Sequence, residues 1–265
     1  MRIKSRVIAA AAALTLVGGV SAVGMLSASA ATPSCGTTCL NIYSKDFGKH
    51  FQLDVFRQGA HQGQPIILFQ RSNSDPAEDF TVAFEGQVSD FFATGQVGPG
   101  VMLHYGCTPG FVFTGNQGAV IHCPANTADE LAGEIEYAPY GVDSGLCVGV
   151  PFDRLPATGK ANVTLQPCGV NAGTVWILDG VDICNQFRFG EAPLINGADT
   201  NFSHPSVLTY PSNGYPTDKP RPQLTVTNLT GFSQNGPPSP NPSGCQSIVG
   251  ANTNQLWSAY LGISR

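Results

Sequence analysis

The chain has 265 residues, of which 13 are basic and 18 acidic, for a formal charge of −5, and charged side chains make up only 12% of the whole. That balance excludes a surface built to attract nucleic acid or anionic lipid. Thirty-one glycines and twenty prolines speak against a helical protein and for many short strands joined by tight turns.

The first thirty residues read as an export signal. Arg2, Lys4 and Arg6 precede an apolar run from Val7 through Leu26, and the small string Ser27-Ala28-Ser29-Ala30-Ala31 follows. Basic, apolar and small in that order, with an A-x-A site, predict secretion and cleavage after Ala30. An uncleaved membrane anchor is the competing reading, disfavoured because glycine and serine interrupt the run. Without this segment the formal charge falls to −8. Residues 31–265 are expected to form one extracellular domain, monomeric and free of the membrane, and the alanine-rich signal suggests a bacterial source.

All eight cysteines, Cys35, Cys39, Cys107, Cys123, Cys147, Cys168, Cys184 and Cys245, lie beyond the signal. An even count in an exported chain predicts four disulfides. Cys35-x-x-x-Cys39 has no second pair or histidine set at ligand spacing, so no metal is expected.

Short β-branched and aromatic runs bounded by turn residues then recur along the chain. Phe51–Phe56, Pro65–Phe69, Phe80–Phe84, Val101–Tyr105, Val148–Val150, Val163–Leu165, Val175–Leu178 and Leu224–Thr227 read as strands. Ala125–Ala132 is the one tempting helix. Ser212-Asn213-Gly214-Tyr215 holds an Asn-Gly turn, and Gln234–Gly244, rich in Pro, Gly, Ser and Asn, is a surface loop.

Three of these stretches repeat. Leu53-Asp54-Val55, Gly63–Phe69 and Phe80 form a first copy, which Cys147–Val150, Gly159 with Val163–Cys168, and Trp176 follow as a second. A third runs Val207–Tyr210, Leu224–Thr227 and Asn254-Gln255-Leu256-Trp257. Each has a strand, a turn, a second strand and a closing aromatic, which suggests threefold pseudosymmetry. An insertion over about Glu85–Tyr137 separates the first two copies.

In these anchors the chain resembles the ricin-type β-trefoil lectins, whose repeats run Cys-x-Asp, then Ile-Gln-Leu-Trp-x-Cys, then Gln-x-Trp. The resemblance implies an all-β, disulfide-stapled trefoil of three degenerate repeats with long loop insertions. It also implies a Cys147–Cys168 disulfide within the second repeat; the other expected pairs are Cys35 with Cys39, Cys107 with Cys123, and Cys184 with Cys245. For function it implies a sugar site in which a carboxylate accepts from ring hydroxyls and an aromatic face stacks on the sugar. Asp54 and Phe69 stand at those positions in the first copy, with Asn73 or Glu78 as replacements for the missing amides. The second copy has Gly149 and Gln166 instead, and the third keeps Asn254 and Gln255 but carries Thr209 and Thr227, with Tyr210 or Tyr215 as possible stackers.

Each of these residues also has a structural reading. Phe80, Trp176 and Trp257 suit a core, Asp54 could satisfy a turn, and Gln255 could bridge strands. For catalysis there is no G-x-S-x-G turn, no H-E-x-x-H, and no ligand spacing among His50, His61, His104, His122 and His204. Asp129, Glu130, Glu134 and Glu136 form the densest acidic cluster, and such neighbours more often make a solvated face than a dyad. The expectation is therefore a secreted, non-enzymatic, cofactor-free module that binds extracellular carbohydrate. Its rivals are a secreted scaffold that binds another secreted or surface protein and, third, a glycoside hydrolase.

Overall fold

The computed structural model describes residues 40–72, 74–87, 90–91, 96–97, 108–111, 119–122, 131–178, 193–200, 205–211, 214–230 and 252–261. The signal, the Gln234–Gly244 loop, Val101–Tyr105, Asn73 and the six cysteines other than Cys147 and Cys168 lie outside them.

The apolar runs become strands as their alternation demands. In chain order these are β1 (Leu40–Ser44), β2 (Phe51–Val55), β3 (Ile66–Gln70), β4 (Phe80–Gln87), β5 (Thr108–Phe111), β6 (Ala119–His122), β7 (Leu131–Tyr137) and β8 (Leu146–Gly149). They continue with β9 (Ala161–Asn162), β10 (Thr164–Pro167), β11 (Val175–Leu178), β12 (Leu194–Asn196), β13 (Ser206–Thr209), β14 (Thr225–Asn228) and β15 (Trp257–Leu261). Every pairing between them is antiparallel.

Their order gives a β-trefoil. β15 pairs with β1, β4 with β7, β7 with β11 and β11 with β12, which builds the wall of a barrel. Three hairpins, β2–β3, β8–β10 and β13–β14, occupy equivalent places between successive wall strands. The repeats are thus β1 to β4, then β7 to β11, then β12 to β15. One ring of backbone hydrogen bonds joins the hairpins: Ile66 N–H donates to the Val163 carbonyl at 3.1 Å, Val163 N–H to Leu224 at 2.9 Å, and Leu224 N–H to Ile66 at 2.9 Å.

The closing aromatics are core, as their spacing predicts. Phe80, Trp176 and Trp257 are all buried, and each indole finds the same partner in its own repeat. Trp176 Nε1 donates to the Val148 carbonyl and Trp257 Nε1 to the Leu208 carbonyl, both at 2.8 Å. Phe80 has no donor to place there and packs on Tyr137 instead, with ring centroids 5.9 Å apart. The Cys147–Cys168 disulfide is present and clips β8 to the end of β10.

Two expectations are corrected. The insertion after the first repeat is shorter than Glu85–Tyr137, because β4 runs on to Gln87 and residues 131–137 are β7, a wall strand of the second repeat. For the same reason Leu131 and Ala132 are strand rather than the end of a helix; the rest of Ala125–Ala132 lies outside the described residues. β7 escapes a pattern search because Glu134 and Glu136 sit in it. Both are buried: Glu134 accepts from Gly169 N–H and the Thr174 hydroxyl, and Glu136 accepts from Gly145 N–H at 2.7 Å.

Candidate functional site

In an antiparallel pair, directly opposed residues share a face, and so do residues two apart. Asp54 of β2 is opposed to Ile67 of β3, so Asp54, Ile67 and Phe69 stand on one side of the first hairpin. Beside them Asp75 caps the 3-10 turn Pro76–Glu78, its Oδ1 accepting from Ala77 N–H at 2.9 Å and from the Gln58 amide at 3.0 Å. From the third repeat, the segment before β14 docks on β3 through a bridge between Gln223 and Ile67. Together these elements enclose a depression of about 500 Å³, lined among others by Asp54, Phe69, Asp75, Arg57, Lys219 and Arg221. That size falls within the range of about 300–1,000 Å³ usual for small-molecule sites.

The pocket is lined by charges of both signs. Burial drives the Asp54 carboxyl up from the ordinary 3.8 to about 7; the charge of Asp75 pushes it further, and the Arg221 guanidinium pulls it back. No described residue hydrogen-bonds the Asp54 carboxyl. Arg221 lies over Phe69, its Cζ 4.1 Å from the ring centroid, and its Nε is buried without a hydrogen-bond partner. Arg57 stands over Phe56 at 4.9 Å.

Asp54 and Phe69 therefore line one depression, while Glu78, Asn254 and Gln255 have duties inside the scaffold. Glu78 is buried; its Oε2 accepts from Gln52 and from Ser72 N–H at 2.8 Å, and its Oε1 has no partner. Burial raises its carboxyl from 4.5 to about 8, the two hydrogen bonds opposing and Asp54 and Asp75 adding to the rise. Asn254 donates to the Tyr210 carbonyl at 2.7 Å. Gln255, also buried, holds Thr209, Thr227, the Asn228 carbonyl and Thr230. The structure does not bring these two to the Asp54 pocket.

The second and third repeats are closed by their own atoms. A Cβ on Gly149, the equivalent of Asp54, would lie 2.5 Å from the Gly173 carbonyl oxygen, and one on Gly173 would lie 2.2 Å from the Val150 carbonyl oxygen. Backbone therefore fills the place where a second carboxylate and amide would stand. In the third repeat the hydroxyls of Thr209 and Thr227 bond each other at 2.8 Å. Tyr210 is buried against Phe47, and only Tyr215 is well exposed.

Sequence reading misses Arg57, Asp75, Lys219 and Arg221. Asp75-Pro76 is a turn signal that local chemistry could have supplied. Nothing near Arg221 in the chain says that it reaches the first repeat, because that contact exists only once the repeats are arranged around a common axis. Among the described residues one metal-like grouping occurs, Glu134 with Cys147 and Cys168, and its two sulfurs are joined as the disulfide.

Fold and site together define a β-trefoil that carries, among the described residues, a polar pocket where the first repeat meets the third. No protein-family model matches this chain, and no curated protein sequence does. Among solved structures it is similar to the designed threefold-symmetric protein ThreeFoil, at 12% identity and a TM-score of 0.44 over 83% of this chain and 96% of that one. It is also similar to a Caenorhabditis elegans protein of unknown function, at 10% identity and a TM-score of 0.36 over 89% and 99%. The trefoil assignment rests on the strand pairing described above.

Proposed function

We propose that this protein is a secreted, non-enzymatic carbohydrate-binding module whose working site is the first-repeat pocket. The observation that carries the reading is the convergence of Asp54, which has no hydrogen bond to a described residue, and Phe69 on one small-molecule-sized depression. Asp54 supplies acceptors for vicinal hydroxyls, while the guanidinium on Phe69 supplies a planar platform with donors at its rim. Asp75 is less free to act as a catalytic partner, since its Oδ1 already caps a turn and holds Gln58.

The test is a glycan-array screen of the protein purified after secretion, beside Asp54→Ala. The expected result is binding that disappears in a variant with an unchanged circular dichroism spectrum. Absence of binding by both, each folded, overturns the reading. It would favour a protein-binding scaffold instead, for which the exposed Phe84, beside Gly169, and the exposed Val170 would be the starting surface. Shortened glycans recovered from the screen would favour a hydrolase.

A further inference from the structure

The pocket is unusual for a neutral sugar in two independent ways. Neutral hexoses gain most from a bare aromatic face, and here the Phe69 ring is covered by Arg221. The wall is also rich in cations. Only 13 basic residues occur in a chain of net charge −5, yet Arg57, Lys219 and Arg221 all line this one depression. None of the three makes an ion pair with a described residue, and Arg221 Nε is buried with nothing to donate to.

We infer that the ligand is an acidic saccharide, a hexuronate whose carboxylate is held by Arg221 and Lys219 while its ring hydroxyls reach Asp54 and Asp75. This rests on the carbohydrate reading of the same pocket. A planar carboxylate matches the planar guanidinium, and Arg221 is held in place on Phe69 before the ligand arrives, so less freedom is lost on binding. The two aspartates serve the rest of the molecule: they accept from hydroxyls and repel a second carboxylate, which favours a sugar with one acid group over a small dianion.

Calorimetry and saturation-transfer NMR with galacturonic and glucuronic acid, each beside galactose and glucose, test the inference. The uronates are expected to bind at least about tenfold more tightly than their neutral parents, with a preference that shrinks as salt is raised. Arg221→Met, which keeps an unbranched apolar stem over Phe69, and Lys219→Met should each reduce the preference; the second variant keeps the test valid if the first fails to fold. Equal or tighter binding of galactose or glucose overturns the acidic class and leaves the carbohydrate site standing. Binding of none of the four sugars overturns this inference, and the glycan array decides separately whether the carbohydrate reading falls with it. Uronate binding untouched by both variants, or matched by acetate as competitor, also overturns it, since acetate carries the carboxylate without the sugar.

Discussion

Arg221 of the third repeat lies 4.1 Å above the ring of Phe69 in the first, so a side chain that shapes the pocket also fastens two repeats together. A cation over a partly buried ring is worth about 0.5–1 kcal/mol. A double-mutant cycle of Phe69→Leu and Arg221→Met, followed by denaturant unfolding, is expected to show a coupling of that size. Strict additivity would mean that the two side chains are merely adjacent.

Asp54 and Glu78 make stability fall with rising pH. Their carboxyls titrate near 3.8 and 4.5 when unfolded and near 7 and 8 when folded, so the folded chain holds their protons over the interval between. Their contribution is complete below the unfolded values and is lost as pH rises through the folded ones. Ionising Asp54 within the fold costs on the order of 4 kcal/mol relative to the unfolded chain. Thermal midpoints measured from about pH 4 to pH 8 should therefore decline, and Asp54→Asn should make the decline shallower. An unchanged slope in that variant would show that Asp54 titrates normally.

Gln255 separates structural from ligand roles. Its buried amide satisfies groups on β13, β14 and the segment after β14, and Gln255→Ala leaves several of them without partners, at a cost of about 2–4 kcal/mol. Chemical denaturation should show that loss, while glycan affinity at a temperature where the variant is folded should be unchanged.

The second repeat is not a dormant site awaiting a carboxylate. Gly149→Asp would press a Cβ onto the Gly173 carbonyl, so it should destabilise the fold by about 1–3 kcal/mol and add no second binding site. A binding stoichiometry of two in that variant would contradict this.

The Cys147–Cys168 disulfide closes a loop with a sequence separation of 21. By chain entropy its removal in a Cys147→Ala/Cys168→Ala variant should cost about 3 kcal/mol, read as a lower denaturant midpoint with a steeper slope, because the uncrosslinked unfolded chain exposes more surface. The first-repeat pocket, built by other strands, should keep its affinity.

The hairpins were legible in the sequence because each is a period-two run ended by turn residues, and the closing aromatics were legible because burial demands one per repeat. β7 was not, since a strand that buries two carboxylates looks like an acidic rim until Gly169, Thr174 and Gly145 are seen to bond them. Asp54 and Phe69 were singled out through the family resemblance, as residues at its carboxylate and aromatic positions in the first repeat. The cations facing them were invisible for a different reason: Lys219 and Arg221 are brought in by the rotational order of the repeats, which local pattern does not encode.

The ring of hydrogen bonds through Ile66, Val163 and Leu224 works as a shared latch in which each repeat gives one bond and receives one. No repeat can leave or slip without opening two of the three bonds, so selection on this ring acts on the trio at once. Selection on the pocket residues need not, because Asp54, Phe69, Lys219 and Arg221 lie outside the three bonds of the latch. Such an arrangement lets one repeat keep an open pocket while its siblings fill theirs with backbone or threonine, and the copies can drift apart in chemistry while remaining one object mechanically.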